Sequence, residues 1–483
     1  MNHSNAGSSW RFVAHYLLAA YLIASCVGTV SGDQGPPAEV AAVMAKHKVP
    51  IKSLSLYIKE VGAAKPLLSV RADQARNPAS VMKVVTTMAA LDLLGPTFTW
   101  QTDALISGTL RDGQLNGDLT LRGGGDPYLV VESLWKIVQG LRARGLQNVQ
   151  GDLVVDNSLF QVHEHDPYAF DKRGDRAYNV LPSALLVNFG ATEFSIHPNG
   201  VGVDVLANPS ASNIKIVNRI RGVKGTCQGR SRAVSARTLE RHPIAAIEFN
   251  GNYPVSCGEY QITRSLQSAD DHAFGAFKSI WQNLGGEIQG GYRVEKTSSK
   301  SRKIYTHTSP PLAEIIRGIN KFSNNVMARQ LLLTLGWKLL GEPGTSDAGS
   351  IAVKQWTRQR NINMPSLFID NGSGLSRSAR ASAQGLGELL EFAYRHPFRS
   401  EFMASLPLIG LEGSIARRFT KGPLKGRVRI KTGLINGVRA MAGYVYSQSG
   451  RTHIVVSLQE YPTIHQGIGT AVQNALLRWV FLK

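Results

Sequence analysis

Three short groups of residues occur in a fixed order along the chain: Ser80-Val81-Met82-Lys83, then Ser323-Asn324-Asn325, then Lys431-Thr432-Gly433. They bring a hydroxyl nucleophile, an amine able to take its proton, a second hydroxyl beside an amide, and a cation beside a hydroxyl. That is the equipment for acyl transfer through a serine ester. Taken singly, each group has a plain structural reading. Ser80 and Ser323 serve equally well as helix caps, and Lys83 and Lys431 as solvated cations. Their order and their local settings carry the functional reading.

The elements around them can be read from residue pattern. Asn77-Pro78-Ala79 precedes Ser80, and an apolar stretch from Val81 to Leu94 ends at Gly95-Pro96. Proline before and Gly-Pro after punctuate a helix, and apolarity nearly all round predicts a buried one. Ser80 then falls in the first turn, with Lys83 one turn on along the same face. The helix N-terminus favours negative charge developing at the serine, and burial disfavours a charged Lys83, which suits a general base. Ser323-Asn324-Asn325 opens a second apolar helix, Val326 to Leu340, with Ser323 as its expected cap. Arg427 to Gly433 and Ala440 to Tyr446 flank Asn436-Gly437, the signature of a β-hairpin. An edge strand there can pair with an extended peptide, and Gly433 lets that backbone come close.

Beyond these groups the chain resembles the low-molecular-mass penicillin-binding proteins, in particular D-alanyl-D-alanine carboxypeptidase/endopeptidases of the subfamily with large inserted domains. The resemblance runs through Asn77 to Thr87, Leu121-Arg122-Gly123-Gly124-Gly125-Asp126-Pro127-Tyr128-Leu129, Gly151 to Asp156, Tyr178 to Asn188, and Asn371-Gly372-Ser373-Gly374-Leu375-Ser376-Arg377. It covers nearly all of the chain after the N-terminal segment. One departure is Leu434, where many relatives carry Thr or Ser; its backbone N–H remains available. The resemblance implies an α+β fold: a serine β-lactamase/transpeptidase-like domain, a helical cluster on an antiparallel sheet, with a large β-rich insertion. It implies hydrolysis of the D-Ala-D-Ala terminus or of D-Ala cross-links in peptidoglycan stem peptides. Ser80 would attack, Lys83 would accept its proton, and Asn325 would orient the amine. Ser323 and Lys431 would pass a proton to the leaving amine. Lys431, Thr432, Gly433 and Leu434 would hold the substrate, with the N–H groups of Ser80 and Leu434 on the oxyanion. β-Lactams would be covalent inhibitors. No cofactor is called for.

The interval between Ser80 and Ser323 is far longer than a compact β-lactamase needs, so at least one extra domain is inserted there. Turn signals recur at Leu115-Asn116-Gly117, Gly151, Asn199-Gly200 and Asn250-Gly251, with the alternating run Asp118 to Arg122 between two of them, which predicts hairpins. The expected partition is a signal peptide over 1–32, a peptidase domain from 33–102 and 304–483, and an inserted region over 103–303 with a nested subdomain at about 188–262.

Trp10-Arg11 followed by an apolar run to Val30 and small residues to Gly32 reads as an export signal, with an uncleaved anchor and lipidation at Cys26 as alternatives. The expected location is the periplasm. In such an oxidising compartment Cys227 and Cys257 are expected to form a disulfide, rather than two buried thiols. The formal net charge of +20 over 483 residues would point to nucleic acid in a cytosolic protein. For an exported one it favours anionic membrane or wall surfaces, and no nucleic-acid partner is expected. His163-Glu164-His165-Asp166 lines up metal-ligand types, but neighbours in a loop rarely close a tetrahedron, so no metal site is assigned. A β-lactamase is disfavoured by the insertion, and a wall-binding protein without catalysis by the completeness of the three groups.

Overall fold

The computed structural model describes residues 35–163, 166–200, 202–242 and 244–483. The export segment with Cys26, and the pair Glu164 and His165, lie outside the described residues. The central sheet has five strands in the order Val428–Ile435, Val438–Tyr446, Thr452–Glu460, Leu54–Glu60, Leu68–Val70, all antiparallel. Residues from the two ends of the chain thus build one sheet. Its strands alternate between two apolar faces, so each face needs a cover. Ala440, Ala442, Tyr444, Ile454 and Val456 meet a helical cluster. Val428, Ile430, Met441, Val445 and Val455 meet the terminal helices Ala38–Lys46 and Gly469–Phe481 through Met44, Val472, Leu476 and Val480.

Within the cluster, helices Met82–Leu94 and Asn325–Leu340 are buried on nearly every side, in keeping with apolar residues all round each helix rather than along one stripe. Val85, Met88, Leu331, Leu332, Leu335 and Trp356 share one core. Gly95, with φ of +81°, ends the first helix where Gly-Pro predicted it. Two local details differ from the sequence reading. Ser80 sits in a 3-10 turn, Ala79–Val81, which runs into the α-helix at Met82. The cap of the second helix is Asn324, whose side chain accepts from the Met327 N–H at 3.1 Å, and not Ser323. Asn and Ser cap about equally well, so composition alone does not separate neighbours.

The inserted region is β-rich and also holds helices Val131–Arg142 and Ala269–Asn283. Its five-stranded sheet runs Tyr292–Val294, Leu153–Asp156, Leu119–Arg122, Gln101–Ile106, Arg302–Thr308, with parallel pairs at Leu119↔Leu153 and Tyr292↔Leu153. The chain enters and leaves on adjacent antiparallel strands, with Gln101 opposite Thr308. Farther out, two three-stranded sheets enclose Phe194, Ile196, Ile247, Phe249 and Tyr253. Asn250-Gly251 makes no turn there: it lies within strand Ala245–Pro254. Gly251, at φ +147°, is needed because a Cβ would meet the Ala233 carbonyl oxygen at 2.1 Å. Cys227 and Cys257 form a disulfide across a sequence separation of 30. Among the described residues no helix is long and apolar enough to cross a membrane.

A loop of that length contributes roughly 3 to 4 kcal/mol in the chain-entropy account of cross-links. Replacing both cysteines, Cys227→Ser with Cys257→Ser, should lower the stability of the outer sheets by about that amount while leaving the five-stranded central sheet unchanged. Hydrogen exchange resolved by peptide would read this; uniform loss of protection across the chain would contradict it.

Candidate active site

The segment ahead of Ser80 is held rigidly before any chemistry is considered. The Asn77 N–H donates to Glu460 at 2.7 Å, its side-chain amide donates to the Ser376 carbonyl at 2.8 Å, and its Oδ1 accepts from the Ala79 N–H at 2.8 Å. Ala79 is left-handed, with φ of +45°. Such strain persists only where surroundings over-determine it. The turn it creates presents the partly exposed Ser80 to the cleft.

Lys83 is fully buried, and its Nζ lies 3.0 Å from Ser80 Oγ, 2.7 Å from Asn325 Oδ1 and 2.6 Å from the Ser373 carbonyl oxygen. The orientation of the Asn325 amide is fixed independently, because its Nδ2 donates to the Tyr178 carbonyl at 3.1 Å. Its oxygen must therefore face Lys83. Burial, together with the charges of Lys431 and Arg329, pushes the Lys83 amine well below its ordinary value. A neutral amine has two N–H donors and one lone pair. Two pure acceptors, Asn325 Oδ1 and the Ser373 carbonyl, take the donors. The lone pair is left for the hydroxyl of Ser80.

Lys431 is also fully buried; its Nζ donates to Ser323 Oγ at 2.9 Å and to the Thr432 carbonyl at 2.8 Å. Burial, with the charge of Arg439 adding to it, pushes this amine down to about 7. Ser323 reaches it from a left-handed backbone, φ +59°. Thr432 Oγ1 lies 3.4 Å from Ser414 Oγ.

Strand Val428–Ile435 is the edge of the central sheet. Its first half is covered, since the Ile430 N–H donates to the Pro407 carbonyl. By the two-residue period the N–H groups of Thr432 and Leu434 point to the same outer side. Gly433 lies against the Ser80 turn: a Cβ there would meet the Pro78 carbonyl oxygen at 2.6 Å and the Ser80 nitrogen at 3.0 Å. Leu434 is half exposed, so its side chain is free of the core.

All seven residues expected on the substrate side and in the proton path, Ser80, Lys83, Ser323, Asn325, Lys431, Thr432 and Gly433, thus converge from one helical turn, one helix start and one strand, with Leu434 at the strand end. Cys227 and Cys257 are elsewhere, in loops between the strands of the outer unit. Sequence reasoning missed several participants. The Ser373 and Tyr178 carbonyls are backbone groups and leave no trace in residue type, although both segments were singled out by resemblance. The inserted region also forms one lip of the cleft. Phe170 packs beside Ala79, Ile435 and Leu375, and the Arg377 guanidinium lies 4.7 Å over its ring while donating to the Asn436 carbonyl. Among the described residues no group of acidic, His or Cys side chains is arranged to hold a metal ion.

A helical cluster on an antiparallel sheet, with a serine and two buried lysines where they meet, defines the class of serine acyl-transfer enzymes. Within that class the chain belongs to the D-Ala-D-Ala carboxypeptidase 3 (S13) family, matched over residues 37–480. It is 30% identical over 398 residues to the D-alanyl-D-alanine carboxypeptidase of Actinomadura sp. (strain R39), covering 77% of this chain and 71% of that one. It is 24% identical to the D-alanyl-D-alanine carboxypeptidase DacB of Haemophilus influenzae, covering 77% of this chain and 78% of the relative. The crystal structure of penicillin-binding protein 4 from Haemophilus influenzae has the same fold, with a TM-score of 0.75 at 21% identity over 92% of this chain and 99% of that one. That protein has also been solved with a β-lactam. The chain is therefore a serine carboxypeptidase with peptidoglycan as its substrate class.

The close approach at Gly433 gives a direct test of the geometry. Gly433→Ala should push the strand off the Ser80 turn and lower peptidase kcat/KM on the order of a hundredfold, the effect of a shift near 1 Å in a reacting group. Leu434→Thr should leave it within a few-fold. Near-normal turnover by the Ala variant in steady-state assays would refute the tight packing.

Proposed function

We propose that this enzyme is a serine D,D-peptidase that cleaves the D-Ala-D-Ala terminus and D-Ala cross-links of peptidoglycan stem peptides through an acyl-enzyme on Ser80. The observation that carries the reading is the Lys83 amine, buried, with no carboxylate among its partners and both N–H groups committed, so that its lone pair meets Ser80. Lys83 takes the hydroxyl proton as Oγ adds to the carbonyl of the penultimate D-Ala. The outward N–H groups of Ser80 and Leu434 stabilise the oxyanion. The proton reaches the leaving D-Ala amine by way of Ser323 and Lys431. Protonated Lys431 and Thr432 bind the terminal carboxylate. Water then releases the acyl group, with Lys83 again as base. Cross-linked strands enter along the open edge at Thr432 to Leu434, with the lip of the inserted region shaping access. A β-lactam follows the first half of this path and stays on Ser80.

We assign the chemistry to residues 33–102 and 304–483, and control of access to 103–303 with the outer unit at about 188–262. Export to the periplasm, with residues 1–32 as signal, fits the disulfide and the wall substrate. The net charge of +20 favours an anionic wall or membrane surface as the working environment.

Two measurements test the chemistry. Ser80→Ala should abolish covalent labelling by a fluorescent penicillin with the circular dichroism spectrum unchanged, and the peptide carrying the label in the parent should contain Ser80. Labelling of the Ala variant at the parent rate would remove Ser80 from the role. The second uses pH. Lys431 pairs with a carboxylate only when protonated, and kcat/KM reports the free enzyme. With its amine held at about 7, the preference for a carboxylate-bearing donor over its amide analogue should be full below that pH and fall as pH rises through it. Lys431→Ala should flatten the ratio, whereas Lys83→Ala should slow both donors equally. A parent ratio independent of pH would argue against carboxylate pairing by Lys431.

A further inference from the structure

The outer unit carries an exposed, strongly cationic face. In the sheet built from Ile214–Val223, Ala245–Pro254 and Ser235–Glu240, the side chains of Ile214, Ile216 and Ile220 turn onto the core around Phe249. Lys215, Arg219 and Arg221 fall on the opposite side by the period of two. Register aligns Val217 with Glu248 and Glu248 with Arg237, which brings Arg237 to that side as well. All four cations are exposed. Two carboxylates share the face. Glu248 is taken by Arg219 at 3.0 Å, and Glu240 stands on the far strand in the row of Lys215. Among the described residues none of Lys215, Arg221 and Arg237 has a carboxylate within ion-pair distance. Exposed Lys224, Arg230 and Arg232 continue the charge into the loop closed by Cys227 and Cys257.

Such crowding of like charge opposes compactness, so fold stability does not explain it. Exposed apolar residues lie just beyond both ends of the central strand of this face. Ile244, just before strand Ala245–Pro254, is 51% exposed, and Val255, just after it, is 42% exposed. Leu239, also exposed, is the extra residue at the bulge between Thr238 and Glu240. A broad sheet face with cations at its centre and apolar residues just beyond the ends of its central strand matches a lipid headgroup layer, where charge meets phosphate and short apolar side chains enter the interface. A flexible polyanion would use the cations but give no role to Ile244 and Val255.

We propose that this face docks the enzyme on a lipid bilayer carrying anionic phosphate headgroups. The proposal rests on reading the chain as an exported enzyme of the cell wall, and hydrolysis of a soluble D-Ala-D-Ala peptide, assayed on the same samples, separates failure of that reading from failure of the docking. The test is co-sedimentation of the full chain with vesicles of phosphatidylglycerol and phosphatidylcholine, against vesicles of phosphatidylcholine alone. The parent should bind only the anionic vesicles, and less as salt rises. The triple variant Lys215→Gln, Arg221→Gln, Arg237→Gln should lose on the order of a hundredfold in partition. An equally discharged control, Arg358→Gln, Lys421→Gln, Lys425→Gln, should bind like the parent. Ile244→Ser with Val255→Ser should weaken vesicle binding while leaving retention on immobilised polyphosphate unchanged. All variants should hydrolyse the soluble peptide at the parent rate. Equal binding by triple and parent, equal loss in the control, equal binding to neutral vesicles, or retention on polyphosphate without vesicle binding would each overturn the proposal, the last by assigning the face to a polyanion.

Discussion

An amine buried without a carboxylate is expensive, and much of this structure is arranged around that cost at Lys83. Desolvation disfavours its charge, and the nearby cations Lys431 and Arg329 disfavour it further. The protein answers with two oxygen acceptors rather than an anion. A carboxylate in either place would keep the amine protonated and leave no lone pair for the Ser80 hydroxyl. The same choice recurs at Lys431, whose partners are a hydroxyl and a carbonyl. Two lysines in one cleft therefore differ through their surroundings: one amine lies against a hydroxyl, an amide oxygen and a carbonyl, the other against a hydroxyl and a carbonyl.

Holding these groups requires three elements to meet at fixed separation. The Ser80 turn is pinned through Asn77, the Ser323 backbone is strained to aim its hydroxyl, and the strand at Gly433 comes closer than any side chain permits. The left-handed backbone at Ala79 and Ser323 is held by the core of apolar helices around it. The sheet edge, covered at Ile430 and open beyond it, leaves peptide-pairing groups exposed only where they face the Ser80 turn.

Much of this was legible in residue order. An apolar run between Pro and Gly-Pro marked the first buried helix, an apolar run after a cap marked the second, Asn436-Gly437 marked the hairpin, and the side chains that bond Lys83 and Lys431 were all in the three short groups. What escaped has physical reasons. Carbonyl groups such as those of Ser373 and Tyr178 act through position, and any residue supplies one. Ser323 and Asn324 are both good caps, so which one caps depended on the strain that Ser323 accepts for the site. Gly251 supplied close approach within a strand, not the turn that Asn-Gly predicts. The parallel strand pairs of the inserted region are set by packing against its two helices, a tertiary effect that local periodicity does not contain.

The partners of Lys83 come from far along the chain: Asn325 is 242 residues away and Ser373 is 290. Contacts of such separation are slow to form, because the entropy of closing the loop must be lost before the contact repays it. Here the intervening segment folds onto itself and returns at Thr308 beside Gln101, so its completion shortens the effective loop between Lys83 and Asn325 to about 35 residues. Because the inserted region also supplies the Tyr178 carbonyl that fixes the Asn325 amide, the surroundings of Lys83 are complete only when that region is folded. A chain still unfolded carries every reacting group and none of the geometry that joins them.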